Sequence, residues 1–153
     1  MSKDAIFDKV QSYFSYNYVD GNSVIQAKDK ESGYIIGRGY YLLCDDMYKY
    51  VKAEHIIKVD CKDGRIRVII TVNNYDEDGL AFPPDVHGNR HRNVMITTMY
   101  PFTKWNNRSE RLTKDEKIHD EAFASLIGKV NAVFDDLKKT INKGSSVLDI
   151  DGW

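Results

Sequence analysis

The chain has 153 residues, a net charge of -1 and a pI near 6.4, with 42% hydrophobic, 29% charged and 12% aromatic residues. That length suits one domain able to lay helices on a sheet, the composition excludes wholesale disorder, and the near-neutral charge supplies no long-range pull toward nucleic acid or an anionic membrane. No apolar run approaches the roughly 20 residues that cross a bilayer, and Met1-Ser2-Lys3-Asp4 lacks the apolar segment of an export signal, so a cytoplasmic location is expected if Met1 is the native start.

From Lys3 to Tyr16, Ile6, Val10, Tyr13 and Phe14 recur at helical spacing with Asp and Lys between them, which predicts a helix over 3–16 that presents one apolar face. Asp20-Gly21-Asn22 closes that unit. Val24 to Lys28 reads as a short strand, Asp29-Lys30-Glu31-Ser32-Gly33 as a polar turn, and Tyr34 to Leu43 as a second strand.

Two further runs flank Asp63-Gly64, a dipeptide that supplies the positive φ angles of a two-residue hairpin turn. With those residues at the turn, Cys61, Val59, Ile57 and His55 lie opposite Ile66, Val68, Ile70 and Val72. The alternate set, Lys58, Asp60 and Lys62 against Arg65, Arg67 and Thr71, is mostly charged. The hairpin should therefore have one buried and one wet face.

The pattern lapses from Asn73 to Asn93 into Asp76-Glu77-Asp78-Gly79, Pro83-Pro84 and His87-Gly88-Asn89-Arg90-His91-Arg92. A long loop is expected over 76–93, and loops of that length are functional or mobile. Val94 to Met99 could add a strand ended by Pro101. Thr113 and Glu116 have capping-box spacing. Phe123, Leu126, Val130, Val133, Leu137 and Ile141 then form a helical stripe, widened by Ile127 and Phe134, that predicts a core-facing helix over 113–142 stopped by Gly144. The tail, 145–153, is expected to fray or add a short edge segment. The sum is one α+β domain spanning 1–153, with an antiparallel strand meander over 24–72 flanked by an N-terminal and a long C-terminal helix.

Three segments carry a resemblance: Ser2-Lys3-Asp4 opening a helix with Ile6-Phe7, the run from Asp29 to Gly39, and the hairpin Lys62-Asp63-Gly64-Arg65. Together they resemble a bacterial family of unknown function whose domain has a TATA-binding-protein-like (TBP-like) fold, a helix-grip-like packing of layers. The resemblance covers roughly residues 2 to 75. It implies the fold and no catalytic residue or cofactor. Its members are typically exported, as periplasmic proteins or lipoproteins, and usually carry a strand before the Ser-Lys-Asp helix and an export signal before that strand.

Candidate chemistry is sparse. Gly33, Gly37 and Gly39 punctuate a strand rather than lead into a helix N-terminus, so a bulge or the close approach of a helix explains them better than a phosphate cradle does. His87 and His91, with Asp85, have metal-ligand spacing only if helical, and Gly88 with the upstream prolines opposes a helix there. An exposed polar loop is the simpler reading, with a ligand-binding loop as the alternative.

Arg65, Arg67, Lys58 and Lys62 could form a basic strip on the wet face, where base stacking would require aromatics from outside the hairpin, such as Tyr34 or Tyr40. Tyr40-Tyr41, Tyr48 and Tyr50 crowd one region and suit an interface or half-buried strands equally. Cys44 and Cys61 read as thiols of the core, His119 as exposed and His55 as half-buried. No nucleophile elbow, metalloprotease helix or phosphate loop occurs.

A non-enzymatic binding or protein-interaction module without cofactor is expected. The alternatives are a small-ligand binder or enzyme with its site under the 76–92 loop, and weak nucleic-acid binding by the exposed sheet face.

Overall fold

The computed structural model describes residues 1–17, 24–45, 48–80, 82, 84–95 and 114–143. Helix α1 (Lys3–Asn17) is followed by β1 (Val24–Asp29), β2 (Tyr34–Asp45), β3 (Tyr50–Lys62), β4 (Arg65–Asp78), β5 (Arg92–Met95) and helix α2 (Lys114–Asn142). The strands form one sheet in the order β1-β2-β3-β4-β5, with β1–β2 and β4–β5 antiparallel. The expected helix, strand meander and helix are all present. Asp20-Gly21-Asn22, residues 96–99 with Pro101, Thr113, Gly144 and the tail lie outside the described residues.

Contacts group the chain into two compact units. The first comprises Met1–Gly39, Ile56–Thr71 and Val130–Trp153. Its core is Ile6, Phe7, Val10, Tyr13 and Phe14 of α1, Ile35 of β2, Ile57, Val59 and Cys61 of β3, and Val133 and Leu137 of α2. The α1 residues are those whose spacing predicted the helix. Lys9 Nζ also donates to the carbonyl of Ile141 at 2.9 Å.

The three resembling segments interlock in this unit. Ser2 caps α1, its Oγ accepting from the Ala5 amide at 3.3 Å. The Gly64 amide donates to the carbonyl of Met1 at 2.9 Å, and the Lys3 amide to Asp63 Oδ1 at 2.6 Å. Gly33, at φ 76°, accepts from the Cys61 amide at 2.6 Å.

Gly37 has no room for a side chain, because an added Cβ would overlap the Phe14 ring. The close approach of a helix expected at the strand glycines is thus realised there. A register shift between Ile25 and Ala27 lies directly across in β1, where Ile25 pairs with Gly37.

The second unit comprises Tyr40–His55 and Val72–Lys129. Its core is Tyr41, Val51, Ala53, His55, Tyr75, Phe82, Ile118, Ala122 and Leu126, with Glu77 and His119 buried among the polar residues.

Several expectations are corrected. The strand does not lapse at Asn73: β4 continues to Asp78, so Asp76 and Glu77 belong to the sheet and pair with Asn93 and Arg92 of β5. Up to Val72 the even-numbered residues of β4 are the half-buried ones, whereas beyond Asn74 the buried residues are odd-numbered, Tyr75 and Glu77. The odd-numbered face, exposed up to Asn73, is buried from Tyr75 on, and this hides the continuation from a period-two reading.

On α2, Ile127 and Phe134 do not widen the core stripe, being 44% and 40% exposed. His119 is buried rather than exposed, and His55 is fully rather than half buried.

Candidate functional site

In the first unit, Asp63-Gly64 closes the β3–β4 hairpin with Gly64 at φ 71°. All the odd-numbered residues of β3 from Ile57 to Cys61 are buried, and the even-numbered ones carry the polar face. Arg67 grips Asp60 through Nε at 2.9 Å and Nη2 at 2.7 Å, the opposition expected for a two-residue turn. Lys58 Nζ lies 3.1 Å from the other oxygen of Asp60 and 6.0 Å from the centroid of the Tyr34 ring.

The Arg67 fork, and then the Lys58 ammonium, hold the Asp60 carboxyl below its ordinary range. Lys62 and Arg65 are exposed, and with Asp60, Ile66 and Arg67 they line a hollow of about 290 Å³.

The wet face of this hairpin is not purely polar. Ile56 and Ile69 are 46% and 45% exposed. Since Asp60 opposes Arg67, the same register sets Ile69 opposite Lys58 and Ile56 two residues along the same face. All four cations proposed from sequence, Lys58, Lys62, Arg65 and Arg67, fall in this unit. The two tyrosines named with them, Tyr40 and Tyr48, fall in the other. There, Tyr40 lies under Lys52 Nζ at 5.2 Å, and Tyr48 is exposed with its carbonyl oxygen 2.5 Å from where a Cβ on Gly79 would stand.

The second unit contains a cluster that sequence reasoning missed. Glu77 is fully buried, its Oε2 accepting from Arg92 Nε at 2.5 Å and its Oε1 meeting His119 Nε2. Tyr75 stacks on the His119 ring with centroids 5.9 Å apart, and the Arg92 guanidinium lies 4.9 Å from the centroid of the Phe82 ring. A carboxylate with both oxygens engaged by cationic or imidazole groups is a satisfied buried network, and its first consequence is structural.

In the same unit, the His55 imidazole stacks on Tyr41 at 3.9 Å, and burial pulls its pKa down to about 4, against a smaller opposing push from Glu54.

Between β4 and β5 the excursion winds on itself. Asp85 Oδ1 accepts from the amides of His87 at 2.8 Å and Asn89 at 2.9 Å, and these backbone donors, Asn89 foremost, lower the Asp85 pKa. His91 Nε2 points instead to Asp76 Oδ1 at 4.0 Å. His87, His91 and Asp85 are therefore not brought together, and among the described residues no group of three His, Cys, Asp or Glu side chains converges as a metal site would. Phe82 is the buried side chain of this excursion among the described residues, tied down by Arg90 Nη1 donating to its carbonyl at 2.6 Å.

Comparison with known proteins agrees with the fold. Residues 1–76 match the family model described as a domain of unknown function (DUF4468) with TBP-like fold. A crystal structure of a TBP-like protein from Parabacteroides distasonis superposes with a TM-score of 0.65 at 17% identity, over 93% of this chain and 85% of that one. A DUF4468 family protein from Bacteroides ovatus gives 0.60 at 16% identity, over 92% and 79%. No curated protein matches the chain. The bacterial, TBP-like resemblance is borne out, and at these identities the solved structures speak to fold alone. No helix among the described residues is long and apolar enough to cross a membrane.

Proposed function

Proceeding from a TBP-like fold, we propose that this protein is a non-enzymatic interaction module that engages a protein partner through the wet face of the β3–β4 hairpin. The observation that carries this reading is the pairing of exposed Ile56 and Ile69 with Lys58, Lys62, Arg65 and Arg67 on that face. Two isoleucines nearly half exposed on a sheet face, framed by cations, match the apolar centre and charged rim of a binding patch.

Asp60 offsets part of the cationic charge through Arg67 and Lys58, so Lys62 and Arg65 are the ones left to attract a partner. An acidic protein segment with aliphatic side chains meets both halves of this chemistry. Single-stranded nucleic acid would want stacking platforms, and Tyr34, a ring beside the strip, already carries Lys58.

The test is fluorescence anisotropy with three labelled probes: a peptide alternating Glu and Leu, one alternating Glu and Ser, and oligouridine. The Glu-Leu peptide is expected to bind, with affinity falling as salt rises. Arg65→Glu with Ile69→Asp should weaken it at least about tenfold, or about 1.4 kcal/mol. Absence of binding by the Glu-Leu peptide, or tighter binding of oligouridine, would overturn the reading.

A further inference from the structure

The wet face of the β3–β4 hairpin is graded along its length. Lys62 faces Arg65 beside the turn, Asp60 faces Arg67 in the next row, Lys58 faces Ile69 in the third, and Ile56 lies two residues further along β3. The Asp60 carboxylate thus stands between the cationic end of the face and its isoleucines.

Both oxygens of Asp60 are committed. Oδ2 accepts from Arg67 Nε at 2.9 Å and Nη2 at 2.7 Å, and Oδ1 lies 3.1 Å from Lys58 Nζ. That edge of the guanidinium is one with which arginine clamps an external carboxylate or phosphate, so Asp60 takes the place on Arg67 that a bound anion would fill. The Asp60 side chain is 20% exposed against 70% for Arg67, and shielding on the acid side makes the pair less open to screening by salt than a fully exposed one. Lys62 and Arg65 are exposed and make no ion pair with any described residue.

Charge arranged in this way distinguishes ligands. Single-stranded nucleic acid binds through the number of phosphates that free cations neutralise, and each adds to the affinity and to its salt dependence. Such a strand meets free positive charge in the first row of this face and a carboxylate in the second. A protein segment that combines acidic and aliphatic side chains draws on both ends of the face instead, through Lys62 and Arg65 at one and Ile56 and Ile69 at the other.

We propose that Asp60 is the specificity-determining residue of this face: by holding Arg67 and Lys58 it confines free charge to the turn end, which admits an acidic, aliphatic protein segment and turns away a continuous polyanion. This role rests on the wet face being the protein-binding surface described above, and adds what selects the partner. Asp60 contributes no affinity of its own. It weakens the wrong partner more than the right one, which is how discrimination against a competitor is built.

The full chain and its Asp60→Asn variant are compared by fluorescence anisotropy with oligouridine and with the Glu-Leu peptide. Asparagine keeps the size of the side chain and removes its charge, and Asp60→Ser, equally uncharged, should behave alike. Oligouridine affinity is expected to rise at least about tenfold at about 50 mM salt, with log K against log salt steeper by about 0.7 for each cation released, Lys58 and Arg67. The Glu-Leu peptide, held in part by the isoleucines, should gain no more than about threefold. Adding Lys58→Gln and Arg67→Gln to Asp60→Asn should return oligouridine to the slope of the parent chain, which separates the released cations from the mere loss of a negative charge. Oligouridine affinity and slope unchanged by Asp60→Asn overturn the proposal, as does an equal gain for both probes or a slope that the triple variant does not restore. If the Glu-Leu peptide binds neither chain, the protein-binding reading fails by itself, and the oligouridine slopes still decide whether Asp60 withholds Lys58 and Arg67.

Discussion

Phe14 occupies the space that a side chain on residue 37 would need: its ring sits so close to Gly37 that a Cβ there would overlap the aromatic carbons, with Ile57 as the next neighbour. This contact lets α1 lie against the sheet at β2. Gly37→Ala is therefore an overpacking change rather than a gain in strand propensity, and should lower stability by about 1–3 kcal/mol. Phe14→Leu in the same chain should recover part of that loss. Urea unfolding of the three variants measures it, and equal stability of Gly37→Ala and the parent chain would contradict the packing described.

Glu77 has no access to solvent, and Arg92 and His119 share its carboxylate. Glu77→Gln would leave two basic groups facing a neutral amide. Breaking a buried ion pair on one side costs about 3–5 kcal/mol, and the partial exposure of the Arg92 side chain, 28%, places the expected loss toward the lower figure. Replacing the whole set by Glu77→Leu, Arg92→Met and His119→Phe should cost less than Glu77→Gln alone, because no uncompensated charge remains. Chemical denaturation separates these outcomes, and a triple variant weaker than the single one would contradict a purely structural role for the cluster.

The parts of the fold legible in the sequence were those in which local pattern and tertiary role coincide. Ile6, Val10, Tyr13 and Phe14 announce α1 by period, and Gly33 and Gly64 sit at positive φ where turns were expected. The end of β4 was not legible, because Asp76-Glu77-Asp78 looks like a solvated run and the inward parity changes before it. What buries Glu77 comes from Arg92 and His119, 15 and 42 positions away in the chain, and no local window contains them. His119 did carry a usable signal, since it precedes Ala122 by three positions and Leu126 by seven, on the stripe that packs inward. Phe134 misled for the opposite reason: its spacing suits the core, yet it stands 40% exposed.

His55 should give the fold an acid sensitivity of its own. Its imidazole titrates at about 4 when folded, against an ordinary 6.5, because burial beside Tyr41 disfavours the charged form. Between those values the unfolded chain binds the extra proton, so stability rises with pH across roughly 4 to 6.5 and changes little from this group outside that window. The full effect is at most about 3 kcal/mol at 1.36 kcal/mol per pH unit. His55→Phe, which keeps a ring against Tyr41, should flatten the stability profile between pH 4 and 6.5. An unchanged slope in that window would mean that His55 is protonated in the folded state.

Cys61 tests the interlock of α1 with the hairpin. Its thiol is buried and its pKa is pushed up to about 11, chiefly by burial and further by the charge of Asp60, so almost no thiolate exists at neutral pH. Its amide is bonded to Gly33, whose φ of 76° and position over the Cys61 carbonyl admit only glycine, since a Cβ would lie 2.6 Å from that oxygen. Cys44 is only partly buried, and neither cysteine forms a disulfide.

Labelling with a thiol reagent should therefore proceed in two stages, Cys44 in the native protein and Cys61 only when the α1, β2 and β3 contacts open together. In Gly33→Ala, Cys61 should label faster with Cys44 unaffected, because strain at residue 33 lowers the free energy of that opening. Cys61 and Cys44 reacting at one rate in the parent chain would show that the interlock does not protect the core of the first unit.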